Sequence, residues 1–141
     1  SSAASDVYKR QIDTMIVVDY IILNRDRHGA NIEVLRNARA HTLRIAPLFD
    51  HGLSLMYSCM TDEDVVAFDI LEDKRCQNFI GTYSCFDNLN LIKNRKNVFS
   101  GSLKPDDKKY IFIGLENVLS DVFIDKIWNM IYERYKIYEN L

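Results

Sequence analysis

The chain has 141 residues, of which 48% are hydrophobic, 27% charged and 11% aromatic, the profile of one ordinary globular domain rather than a disordered, collagenous or coiled-coil chain. Its 18 Lys and Arg against 20 Asp and Glu leave a formal charge of -2, which argues against a nucleic-acid binder or a polybasic membrane anchor. Cys59, Cys76 and Cys85 are odd in number and form no C-x-x-C pair, so reduced thiols and a cytoplasmic setting are expected. The longest apolar stretch, Met15 to Leu23, is broken by Asp19 and falls short of the about 18 residues of a membrane span. The N-terminus has no basic segment followed by an apolar core, so no signal peptide is read there.

In chain order, Ser1 to Gln11 (SSAASDVYKRQ) has no usable periodicity and resembles translated adapter read-through. It is expected to be a non-native or disordered segment, with the natural gene beginning upstream and residues 12–141 forming the domain. Ile12 to Asn24 is apolar nearly all round and reads as a helix buried on most of its faces. Asn24 to Asn31 (NRDRHGAN) is polar, charged and glycine-containing, hence a loop. Ile32 to Leu35 and Thr42 to Ala46 flank a polar stretch and read as a β-hairpin, with Pro47 ending its second strand.

Leu48 to Leu55 (LFDHGLSL) sets an acidic residue between apolar neighbours just after a strand, with a glycine to permit a tight turn. Thr61, followed by three acidic residues, and Asp87 are candidate helix starts. Asn94 to Lys109 reads as a solvated basic loop, and Pro105 with Asp106 and Asp107 as the start of a helix to about Leu119. Ser120 then caps a last helix towards Glu139 whose apolar face holds Phe123, Ile127, Met130, Ile131 and Tyr138, with Trp128 in the core or at its rim. The fold class that follows is α+β, mainly α, with one short hairpin.

The chemistry lies between Asn24 and Asp50. Asp26 and Asn31 are five residues apart and Asp50 follows the next two strands, the order of the base, first metal ligand and second metal ligand in a phosphoryl-transfer site. Phosphoryl transfer needs hard oxygen ligands for Mg²⁺ and a carboxylate to orient the acceptor hydroxyl, and this trio supplies both. Arg25 and Arg27 are read either as neutralising phosphate or as holding acidic neighbours. His41 and His51 belong to no H-x-x-x-H or Cys/His cluster, so no zinc site is read.

Over Ile12 to Met56, NRDRHGANIEVL followed by RIAPLFDHGLSL resembles the HipA-like serine/threonine protein kinases, which carry an Asp-x-His-x-x-Asn loop and then an Ala-Pro-(aromatic)-Asp element. The resemblance implies the large C-terminal lobe of a protein-kinase-like fold. It makes Asp26 the catalytic base, His28 a supporting residue of the same loop, and Asn31 and Asp50 the Mg²⁺ ligands beside ATP. It implies a protein substrate and, because such kinases often pair with a helix-turn-helix antitoxin, a partner of that kind. No glycine-rich phosphate loop or V-A-I-K lysine is found in the chain, so the N-terminal lobe is expected to be missing and the fragment inactive alone. Two alternatives stay open: a phosphoinositide or small-molecule kinase, because the same loop leaves the acceptor undefined, and a non-catalytic nucleotide-binding module.

Overall fold

The computed structural model describes residues 2–141. A long first helix, α1 (Ser2–Ile21), is followed by a two-residue strand β1 (Asp26–Arg27), a 3₁₀ turn at Gly29–Asn31 and the hairpin β2 (Val34–Asn37) and β3 (Thr42–Ile45). Then come α2 (Asp62–Ala67), β4 (Gln77–Asn78), α3 (Cys85–Asn88), α4 (Lys108–Ile111) and the closing helix α5 (Asp121–Glu139). β2 and β3 pair antiparallel, Val34 facing Ile45 and Asn37 facing Thr42, while β1 and β4 pair parallel. The fold is therefore α+β and mainly α. Among the described residues no helix is long and apolar enough to cross a membrane.

Helix α1 begins at Ser2, ahead of the boundary expected at Ile12. The stretch expected to be non-native or disordered is thus helical from Ser2 to Gln11, with Ser1 outside the described residues. Once the apolar turns from Ile12 onward are docked, extending the helix adds one hydrogen bond per residue fixed, and Lys, Arg and Gln propagate it well. Gln11 also meets the hairpin: its Oε1 accepts from Ile45 N at 3.0 Å and its Nε2 donates to Ile45 O at 3.3 Å.

The other end of α1 stops on Leu23, whose φ of 50° is left-handed. Leu23 N donates to Tyr20 O and Asn24 N to Asp19 O, the paired bonds of a Schellman ending. A leucine there costs about 1–2 kcal/mol of backbone strain. Complete burial of its side chain offsets this, at about 1.5–3 kcal/mol.

The main core gathers Val17, Tyr20 and Leu23 of the α1 end with Val65 of α2, Leu89 after α3, and Met130 and Tyr138 of α5. A smaller cluster joins Phe112, Ile124 and Trp128. Two expected helix starts have the expected caps. The Thr61 side chain accepts from Asp64 N while the Asp64 carboxylate accepts from Thr61 N, and the Ser120 hydroxyl accepts from Phe123 N. On α5, Met130 and Tyr138 are buried as expected; Phe123, Ile127 and Ile131 are only half-buried, and the buried stripe instead includes Ile124, Trp128, Arg134 and Tyr135.

Two helical expectations need correction. The helix expected from Pro105 to about Leu119 is a 3₁₀ turn at Pro105–Asp107 and the short α4, ending at Phe112. Gly114 adopts a φ of +84°, a conformation that stops a right-handed helix. The start proposed at Asp87 lies in the first turn of α3, which is capped by Ser84 accepting from Asp87 N. Between β4 and α3, Gly81 is forced by space as well as by its φ of +81°: a Cβ there would lie 2.1 Å from Asn88 Oδ1, the atom that accepts from Thr82 N.

Candidate functional site

An aspartate buried in the last turn of a helix packed into the core must be paired, because an isolated buried carboxylate is too costly to keep charged. Asp19 is 4% exposed. Its partner is Arg27, which docks as a fork: Nε on Asp19 Oδ2 and Nη2 on Oδ1, both at 3.0 Å. Asn24 Nδ2 donates to Oδ1 as well, at 3.0 Å, and Asn24 Oδ1 accepts from Asp26 N at 3.1 Å. The end of α1 thereby fixes the entry into the loop that carries Asp26, and the parallel pairing of β1 with β4 fixes it from the other side, through Gln77 N donating to Arg25 O.

Within that loop His28 caps the 3₁₀ turn by accepting from Ala30 N at its Nδ1, 3.1 Å. Its proton therefore sits on Nε2, which lies 3.6 Å from Asp26 Oδ2. His28 acts on the loop and faces the Asp26 carboxylate, which is 31% exposed and so open to a ligand. Asn31 is buried, and its Nδ2 donates to Asp26 O at 2.7 Å. That bond uses one of the two amide protons on the loop and leaves the side-chain carbonyl oxygen as the atom that could meet a cation.

Asp50 follows β3 through Ala46 to Phe49. It is exposed and adopts a φ of 55°, a left-handed conformation in which Asp and Asn are the least penalised residues after glycine. Its segment is held against the loop at two points: Arg25 N donates to Leu53 O at 3.0 Å, and Arg27 Nη1 donates to Phe49 O at 2.9 Å. The same Nη1 donates to Asn31 O at 3.1 Å. The segments that carry Asp26, Asn31 and Asp50, separated by the whole hairpin in sequence, are thus brought side by side.

The two arginines of the loop turn inward. Arg27 is 1% exposed and holds Asp19, so of the two roles considered for it the holding of an acidic neighbour is the one observed. Arg25 donates from Nε and Nη2 to Arg75 O at 3.2 and 3.1 Å, tying the loop to the β4 strand. Behind this crossing lie two buried free thiols, Cys76 and Cys85. Cys85 Sγ contacts Asn24 O at 3.7 Å, and its hydrogen bond with Cys76 together with burial holds it protonated, far above the ordinary thiol range.

As a donor set, Asn31 and Asp50 would offer one carboxamide and one carboxylate oxygen, hard ligands of the kind Mg²⁺ takes. Among the described residues no three His, Cys, Asp or Glu side chains form a ready-made metal cage. Asp19, Asn24 and the β4 contact are the supporting parts that the motif does not reveal. Asp19 had a signal nonetheless: the one acid inside the apolar run Met15 to Leu23, with an arginine eight residues on. Comparison with known proteins adds nothing: no family model, no curated protein and no solved structure matches the chain.

Proposed function

We propose that the chain is the large lobe of a HipA-like kinase that transfers the ATP γ-phosphoryl group to a serine or threonine hydroxyl of a protein, with Mg²⁺. The observation that carries this reading is the pair of hydrogen bonds that Arg27 Nη1 donates to Asn31 O and Phe49 O. These bonds tie the backbone of Asn31 to that of Phe49, the residue before Asp50, across the intervening hairpin, which supports reading Asn31 and Asp50 as parts of one site. Bound Mg²⁺ supplies charge neutralisation on the β- and γ-phosphates. Asn31 and Asp50 would hold it through their side-chain oxygens. Asp26, on β1 with its carboxylate open to solvent and faced by the Nε2 proton of His28, would orient the acceptor hydroxyl and take up its proton.

The acceptor and a helix-turn-helix antitoxin partner rest on the resemblance of the loop. The test is transfer from radiolabelled ATP by the protein expressed from its intact gene, with protein, phosphoinositide and small-molecule acceptors in parallel. Asp50→Asn is the variant of choice because asparagine tolerates the left-handed backbone there, and Asp26→Ala removes the base. Loss of a Mg²⁺-dependent transfer to protein hydroxyls in both variants is expected. Transfer only to lipid or small-molecule acceptors would move the protein to another kinase class, and nucleotide binding without any transfer would make it a binding module.

A further inference from the structure

Arg27 has five N–H donors, the full complement of a guanidinium, and the structure gives each of them an acceptor. Nε and one proton of Nη2 go to the Asp19 carboxylate, and the other Nη2 proton goes to His51 Nε2 at 3.1 Å. Both protons of Nη1 go to backbone carbonyls, Asn31 O and Phe49 O. Because an arginine only donates, His51 Nε2 must accept, so the His51 proton sits on Nδ1.

The geometry divides the side chain into two halves. The Nε edge anchors it to α1, a long helix packed into the core. The Nη1 end grips the carbonyl of one proposed metal ligand, Asn31, and the carbonyl immediately before the other, Asp50. A rigid planar group spans the two.

We propose that Arg27, anchored by Asp19, is the positioning residue that sets the spacing between the Asn31 and Asp50 ligand positions, an inference that rests on the phosphoryl-transfer reading. With its donors all engaged within the protein, Arg27 would act through the two carbonyls and not on nucleotide or metal directly. No lysine can replace it, since an ammonium has three donors and no fixed fork. Supporting partners of this kind set metal affinity by about 10–100-fold in other sites.

The test uses the ¹⁵N-labelled chain titrated with Mn²⁺, read by paramagnetic broadening of the Asn31 and Asp50 amide signals, with Mg²⁺ added in competition. Melting is measured alongside, so that stability and ligand spacing are read separately. Arg27→Lys is expected to weaken Mn²⁺ binding at these two residues by about tenfold or more in protein that is still folded. Arg134→Met, which lies outside this network, is expected to bind as the wild type does.

A second variant covers the case in which Arg27→Lys does not fold. Asp19→Asn combined with Arg27→Gln removes both buried charges together, which proteins tolerate far better than removal of one, yet leaves the two carbonyls untied. It too is expected to lose the Mn²⁺ site. Wild-type affinity in a folded Arg27 variant would overturn the proposal while leaving the kinase reading intact. Absence of Mn²⁺ broadening at Asn31 and Asp50 in the wild type would overturn this proposal, whereas the kinase reading stands or falls with the transfer assay. Loss of fold in both variants would also overturn it, because the pair would then be a part of the scaffold alone.

Discussion

Arg27 and Arg134 are both almost wholly buried and both grip the last turn of α1, yet they do so by different chemistry. Arg27 meets a carboxylate, Asp19, and uses its remaining donors on the loop and the Asp50 segment. Arg134, from α5, meets no carboxylate: it donates to Tyr20 O at 3.0 Å, Ile70 O at 2.8 Å and Glu72 O at 2.9 Å. Its charge lies 5.1 Å from the Tyr20 ring centroid, and burial lowers its affinity for the proton without discharging it. One arginine joins a charge to a candidate site. The other joins helix to loop through carbonyls and the Tyr20 ring, away from the candidate site. The difference teaches where a deletion leaves a stranded charge and where it leaves only carbonyls short of a partner.

The largest expected effect follows from that difference. Asp19→Ala leaves the Arg27 guanidinium buried without its counter-charge and should cost about 3–5 kcal/mol, read as a lowered midpoint in urea unfolding. Arg134→Met strands no charge, because its partners are carbonyls. Its loss should be smaller, about 1.5–3 kcal/mol, with Mn²⁺ binding at Asn31 and Asp50 unchanged in the folded protein. Equal losses from the two variants would erase the comparison.

The smallest effect lies outside both networks, at the start of α2. The Asp64 carboxylate accepts from Met60 N and Thr61 N, and these bonds hold its pKa below the ordinary carboxyl value. A carboxyl lowered in the folded state stabilises fully above its ordinary value and loses that contribution as pH falls through the lowered one. Asp64→Asn should therefore lower the neutral plateau slightly, where this contribution is fully present, and flatten the acid side of the profile, since the variant has less left to lose as pH falls; melts taken from neutral into the acid range read both.

The parts of this architecture that could be read in the sequence are those set by near neighbours. The second hairpin strand and the Thr61 and Ser120 caps depend on residues a few positions apart and are where the pattern puts them, whereas the first strand runs Val34–Asn37 in place of the expected Ile32–Leu35, and the polar stretch Asn24–Asn31 also holds β1 and a 3₁₀ turn. The motif also named Asp26, His28, Asn31 and Asp50 as a group. What escaped depends on long-range partners. β1 and β4 are two residues each and pair across a separation of about 50 positions, too short for a period to register. Arg134 reads as a polar interruption of an amphipathic helix until α5 packs on α1, where its acceptors are 62 to 114 positions away. Asp19 was visible as an oddity, and its role needed the loop to fold back.

The division of labour between Asp50 and Asp26 is the central claim, and calorimetric titration of ATP with and without Mg²⁺ into protein from the intact gene tests it most directly. The account predicts Mg²⁺-dependent binding that weakens by about tenfold or more in Asp50→Asn and keeps its wild-type strength in Asp26→Ala, whose defect appears only in transfer. Binding indifferent to Mg²⁺, or weakened equally by both variants, would contradict it.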